Sequence, residues 1–226
     1  PLMTTQVTTS YDERFDRPSD RGREAVLAGT HHRDGPLVEG GRWGISVGCD
    51  PTHPRRWPWR PWPVRPWRLL AAVTTDWGGG TVHITVLNLE PYGEKVPDDD
   101  PDVARYAAGL RAAAARCGPV RLRLAGLSLA PTGFLAATWP VDGAADRRLE
   151  LKDAIGGSRW PDRDTWYASL LHFTGAVRHP RRLVDWVASR RRIDPVSTHI
   201  TTVDLVAWSS ERDSAQPLPV TLASRR

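Results

Sequence analysis

The sequence predicts an α+β protein with mostly antiparallel sheets and helices on the outside. Three observations predict it. Stretches with the two-residue alternation of strands recur along the chain, at Thr81–Leu89, Val120–Leu129, Phe134–Trp139, Trp166–Phe173 and Ile200–Trp208. Stretches with helical spacing fall between them, giving the order strand, helix, two strands, helix, strand, helix, strand, strand. Finally, 226 residues with 40% hydrophobic content suffice for one compact unit that buries its apolar surface without covalent staples.

Residues 1–40 are polar and rich in Asp and Arg, with little periodicity. They are expected to form a partly disordered arm with one short helix through Arg23–Leu27, ahead of a single domain over 41–226. Regular structure is expected to begin with the short strand Trp43-Gly44-Ile45-Ser46-Val47. Leu69–Asp76 is expected as a short helix. In the strand Thr81–Leu89, Val82, Ile84, Val86 and Asn88 lie on one face, with His83, Thr85, Leu87 and Leu89 on the other.

The acidic turn Pro97-Asp98-Asp99-Asp100-Pro101 starts a helix. Asp100 is placed to cap it, Pro101 to occupy its first turn, and Asp102 to favour its positive end. Val103, Tyr106, Ala107, Leu110, Ala114 and Cys117 repeat at helical spacing, and Gly118 ends the run. Two strands then flank the turn Pro131-Thr132-Gly133. A helix over Asp142–Ile155 closes at Gly156-Gly157. Pro180–Arg192 is expected as a basic amphipathic helix with Leu183, Val184, Trp186 and Val187 inward. The strands Ile200–Trp208 and Leu218–Leu222 finish the chain.

One segment fits no regular element. Arg55–Arg68 interleaves arginine, tryptophan and proline, and its prolines forbid both a helix and a central strand. It is expected as an extended surface loop whose indoles pack back onto the body. Its composition also suits base stacking and phosphate contact, and it is similar to membrane-active Trp/Arg peptides.

Several function classes are excluded by what the sequence lacks. Cys49 and Cys117 stand far apart with no metal-ligand spacing, so neither a disulfide framework nor a zinc ribbon is expected. No apolar run has membrane-spanning length and no signal-peptide core opens the chain, so a cytoplasmic protein without membrane insertion is expected. The formal charge of +5 favours anionic ligands such as nucleotides and RNA. No phosphate-binding glycine loop exists: Gly78-Gly79-Gly80 precedes a strand, not a helix. His32-Arg33-Asp34 matches a kinase triplet, but nothing else of a kinase accompanies it.

What remains is His-x-Thr, present at His83-Ile84-Thr85, His172-Phe173-Thr174 and His199-Ile200-Thr201. With seven histidines in the chain, about one such triplet is expected by chance. On a strand, residues i and i+2 share a face, so each motif sets an imidazole beside a hydroxyl. Two such motifs facing each other suit a phosphate ester: one imidazole takes a proton from the attacking oxygen, and the other gives one to the leaving oxygen. The hydroxyls donate to the non-bridging oxygens. No metal and no cofactor is required. His83 and His172 each sit inside an apolar strand. His199 opens a more polar one and is read as the coincidence.

These residues carry a resemblance to the 2H phosphoesterase superfamily, also called 2′-5′ RNA ligase-like. It rests on Thr81-Val82-His83-Ile84-Thr85-Val86, the helix through Ala107, Gly126-Leu127-Ser128-Leu129, the helix near Asp153, and Tyr167-Ala168-Ser169-Leu170-Leu171-His172-Phe173-Thr174. The closing Val203-Asp204-Leu205-Val206-Ala207-Trp208 resembles the family's last strand. The resemblance covers about residues 42–223. It departs at Gly175, which replaces an aliphatic residue, and at Asn88-Leu89-Glu90-Pro91, which replaces Phe-Leu-Gly.

The resemblance implies a bilobal fold with the two motifs facing each other across a central cleft. It also implies hydrolysis of cyclic phosphates or 2′-5′ linked nucleotides. The expected catalytic residues are His83, Thr85, His172 and Thr174, and the substrate-binding candidates are Tyr92, Tyr167 and Arg60. The expected partner is a nucleotide, or an RNA with a cyclic phosphate or 2′-5′ linkage, bound by a monomer. Two rival readings stay open. One is a non-catalytic RNA- or nucleotide-binding module using the same cleft and the Arg/Trp-rich segment. The other is a membrane-surface or partner-binding protein using that segment alone.

Overall fold

The structure is a computed structural model that describes residues 2–32, 41–49, 74–76, 84–91, 93–94, 100–114, 119–156, 165–173, 175–194, 196–209 and 218–225. Its elements are α1 (Leu2–Ala28), β1 (Gly41–Cys49), β2 (Thr74–Asp76), β3 (Ile84–Glu90), β4 (Gly93–Glu94) and α2 (Pro101–Ala114). They continue with β5 (Val120–Ala130), β6 (Gly133–Val141), α3 (Ala144–Ile155), β7 (Trp166–Phe173), α4 (Pro180–Ala188), β8 (Val196–Ile200), β9 (Val203–Ser209) and β10 (Leu218–Arg225). The fold is α+β. The strands form a sheet in the order β10-β9-β1-β3-β7-β6-β5-β8, with β2 beside β7 and β4 beside β1. Each of these pairings is antiparallel.

Two four-stranded halves make up this path. Among the described residues they join where β3 meets β7, at Ile84 opposite Ala168. The main core lies on one face of the sheet, built from Ile84, Val86, Leu122, Leu124, Phe134, Ala168 and Leu171. Tyr106 and Leu110 of α2, Ile155 of α3, and Leu183 and Val187 of α4 close over it. The helix starts follow the sequence. The Asp100 side chain accepts the Asp102 N–H at 2.8 Å, with Pro101 in the first turn of α2. Gly156 ends α3 in the left-handed region, at φ 83°.

Four expectations are corrected. The N-terminal arm is a helix over Leu2–Ala28, not a short one through Arg23–Leu27. Its stripe is sparse but buried: Phe15 packs with Ala125, Ala137 and Trp139 in a second cluster, while Val26 joins the main core. Between them Gly22 crosses β5 so closely that a Cβ there would sit 2.6 Å from the Leu129 carbonyl. Thr74–Asp76, expected in a helix, is a strand, because it completes the edge of β7.

The helix expected over Pro180–Arg192 ends at Ala188. The chain beyond it turns to bond β5: Leu127 N–H donates to the Arg190 carbonyl at 2.8 Å, and Ile193 N–H to the Ala125 carbonyl at 3.0 Å. The strand expected over Ile200–Trp208 is divided. β8 pairs with β5 at one end of the sheet, and β9 pairs with β1 near the other. Only Thr201 and Thr202 link them. Three residue steps span at most about 11 Å, so the sheet must curl until its two ends approach each other.

The expected Arg55–Arg68 loop, the Gly78-Gly79-Gly80 turn and the Cys117-Gly118 helix end lie outside the described residues. No helix among the described residues is long and apolar enough to cross a membrane.

The burial of Phe15, only 2% exposed, makes α1 part of the folded unit. Phe15→Ala is expected to lower unfolding stability by about 3 kcal/mol, the low end of the range for a buried phenylalanine. Urea titration of the full chain measures this, and a disordered arm would show no change.

Candidate active site

His172 and Phe173 of the second motif lie on β7. Its burial pattern shows which side chains point where. Trp166, Ala168, Leu171 and Phe173 are buried, whereas Tyr167, Ser169, Leu170 and His172 are half-buried. Strict alternation would put Tyr167 and His172, five residues apart, on opposite faces. A bulge prevents this. Phe134 of β6 pairs with Leu171 while the next residue, Leu135, pairs with Ser169, so Leu170 is an extra residue. Parity switches there, and Tyr167 and His172 share the face away from the main core.

β3 brings the strand of the first motif to the same face. Ile84 and Ala168 are directly paired and both wholly buried in the main core. Side chains of a directly opposed antiparallel pair lie on one face, so their neighbours Thr85 and Tyr167 lie together on the other. Thr85 is half-buried, like Tyr167 and His172. The joint between the half-sheets therefore sets Thr85 beside Tyr167, with His172 on the same face five residues further along β7, about 16 Å away. His83, Thr174, Tyr92 and Arg60 lie outside the described residues.

His199 is elsewhere. It is exposed on the edge strand β8 and pairs with Arg121, which in turn pairs with Val141 at the far end of β6 from Gly133. Gly133 is the partner of His172. β6 alone separates these positions by about 25 Å.

The backbone around His172 is tightly fixed. On one side His172 faces Gly133 of β6, and on the other Thr75 of β2. A Cβ at Gly133 would fall 1.8 Å from the Leu171 carbonyl oxygen, so only glycine allows β6 to approach β7 this closely. The turn before Gly133 is bonded as well. Phe173 N–H donates to the Thr132 carbonyl at 2.8 Å, and His32 N–H donates to the Pro131 carbonyl at 2.8 Å.

Sequence reasoning missed one residue here. His31 is 6% exposed. Its Nε2 lies 2.8 Å from the Gly175 carbonyl oxygen, and its ring meets Phe173 edge-on with centroids 5.0 Å apart. Its only signal in the sequence would have been a helical stripe of Phe15, Gly22 and Val26 leading up to it.

β3 is anchored at its far end by Glu90, which is buried. The Tyr106 hydroxyl of α2 donates to the Glu90 carboxylate. Burial, and then the adjacent Glu90, push the Tyr106 hydroxyl up to about 12. From α3, Arg148 Nε–H donates to the Val86 carbonyl at 2.8 Å and the guanidinium lies over Trp166, 5.7 Å from the ring centre. Both strands of the joint are thus tied to helices on the core side, while on the other face Tyr167 packs against the second cluster beneath α1. Among the described residues no group of three or more His, Cys, Asp or Glu side chains could hold a metal ion.

No family model and no curated protein matches the chain at a significant level. Solved structures similar to it include a crystal structure of a phosphoesterase, with 15% identity and a TM-score of 0.45 over 80% of this chain and 96% of that one. E. coli LigT in apo form gives 17% identity and a TM-score of 0.46, over 81% and 96%. LigT complexed with 3′-AMP gives 14% and 0.47, over 80% and 96%.

Two outcomes test this geometry. Gly133→Ala is expected to push β7 away at His172, seen as faster amide exchange in the peptide 170–175. The Tyr106 hydroxyl stays protonated in the folded chain up to about pH 12, whereas in the unfolded chain it ionises near 10. The unfolded state thus loses its proton first, and stability should fall as pH rises from 10 to 12. Urea midpoints across that range measure the fall, and Tyr106→Phe should flatten it.

Proposed function

We propose that the chain is a metal-independent phosphoesterase. It would hydrolyse 2′,3′-cyclic phosphates or 2′-5′ linked nucleotides and RNA ends, with His83 and His172 as the acid–base pair. The observation that carries this reading is the joint at Ile84 and Ala168. It sets the strand that follows His83 in the chain directly beside the strand that holds His172. Thr85, Tyr167 and His172 lie on the same face. Residues 41–226, with both motifs, are the unit that holds the chemistry, acting as a cytoplasmic monomer.

In this mechanism one imidazole is neutral and the other protonated. The neutral one takes a proton from water as the water oxygen forms a bond to phosphorus. The protonated one gives its proton to the ribose oxygen as the bond from that oxygen to phosphorus breaks. The pair ends with the proton exchanged between its members, and solvent restores it. Thr85 and Thr174 hydroxyls donate to the non-bridging oxygens, where negative charge builds up. In this reading Tyr167, on the same face of β7, contacts the base or ribose, with Tyr92 and Arg60 as further contacts to the nucleotide.

The test is turnover of a panel of 2′,3′-cyclic mononucleotides and short RNAs with cyclic phosphate ends. His83→Ala and His172→Ala should each reduce kcat/KM by about 10²–10⁴. Thr85→Ala and Thr174→Ala should cost less, since proton transfer survives. The pH profile should be bell-shaped, since one imidazole must be neutral and the other charged. Chelator should leave the rate unchanged; sensitivity to it would overturn the metal-free step. Binding of these ligands without turnover would point to the binding-module reading.

A further inference from the structure

We propose that His31 is a positioning residue for the second motif, fixing the main chain at Gly175 and the Phe173 ring so that His172 holds its place. The proposal deepens the phosphoesterase reading and rests on it. It starts from a hydrogen bond between positions 144 residues apart in sequence, from His31 Nε2 to the Gly175 carbonyl, at 2.8 Å. A carbonyl oxygen can only accept, so Nε2 must carry the hydrogen and the tautomer is set. Nδ1 is buried and has no hydrogen-bond partner among the described residues. Among the described residues the ring therefore makes its one polar contact at Gly175, the residue after Thr174 in sequence.

The surroundings show that this contact is built in. Phe173, the middle residue of the motif, is 1% exposed and meets the His31 ring edge-on. The next residue, His32, bonds through its N–H to Pro131, and Phe173 bonds through its N–H to Thr132, so one turn holds both segments. α1 brings His31 there, with Val26 in the main core and Gly22 against β5. After Gly175 the chain runs through Ala176, Val177, Arg178 and His179 to α4, of which Ala176, Arg178 and His179 are exposed. Val177 packs against the main core. The hydrogen bond from His31 adds a second fixed point, at Gly175, from outside the loop. Such a contact acts on geometry, where small displacements of a proton-transfer group are costly to rate.

The experiment compares His31→Phe with His31→Gln in the full chain. Phe keeps a ring against Phe173 and removes the donor, while Gln offers an N–H donor at a similar reach. Two readouts are taken: kcat and KM on a 2′,3′-cyclic mononucleotide, and amide hydrogen exchange of the peptide 171–177 against that of β9. His31→Phe should lower kcat about fivefold to tenfold, the worth of one neutral hydrogen bond. KM should stay within about twofold, because the substrate contacts are untouched. Exchange should speed up in 171–177 and not in β9, and Gln should restore most of both. Equal losses in the two variants, exchange that rises equally in β9, or a Phe variant that fails to fold would each make the role merely structural and overturn the proposal. So would wild-type kcat and exchange in His31→Phe. If the unaltered chain turns over no cyclic nucleotide, the phosphoesterase reading fails, while exchange in 171–177 still decides whether His31 holds the motif.

Discussion

The pairing of Ile84 with Ala168 is the constraint on which the site depends. β10, β9, β1 and β3 form one half of the sheet, and β7, β6, β5 and β8 form the other. Among the described residues the halves meet at this one pair. They are held by burial: both residues of the pair are wholly inside the main core, with helices closing over it. The two strands cannot slide by one residue without exposing Ile84 and burying Thr85, so the apolar pattern fixes the register. Because the core claims one face of the joint, Thr85 and Tyr167 are sent to the other.

Bulges then decide which polar groups arrive together. β7 carries an extra residue at Leu170, and the pairing of β1 with β3 shifts twice. In each strand a run of two residues breaks the alternation without exposing the core: Leu170-Leu171 switches parity in β7, and Val86-Leu87 are both buried in β3. Tyr167 and His172 thereby come to one face although their spacing is odd. Gly133 completes the arrangement by removing the side chain that would have kept β6 away from His172.

How much of this was legible in the sequence follows from how local each signal is. β5, β6 and β7 alternate clearly around a Pro-Thr-Gly turn, and α2 has its cap and proline written at its start. Those elements lie where they were expected. β2 has no local signal, because three residues become a strand only by pairing with β7. The division of the last long strand at Thr201-Thr202 depends on two distant partners, β5 and β1, which periodicity does not reveal. Thr85 and His172 could be named from the His-x-Thr pattern, and Tyr167 only from the family resemblance. That Tyr167 and His172 share a face could not, since an ideal strand says the opposite.

α1 shows the same limit from another side. Its sequence is largely polar, and Phe15, Gly22 and Val26 supply its buried contacts at intervals of seven and four. That spacing is helical but too thin to stand out among the charged residues around it. Each of the three meets a different layer: Phe15 the second cluster, Gly22 the backbone of β5, and Val26 the main core. A helix placed so delivers the residues after it to a fixed point, the turn at Pro131 and Thr132. From that turn β6 starts toward Gly133, and to it the end of β7 is bonded. The segment that looked least structured thus converges with the strand that carries His172, and it does so through main-chain bonds that no side-chain pattern records.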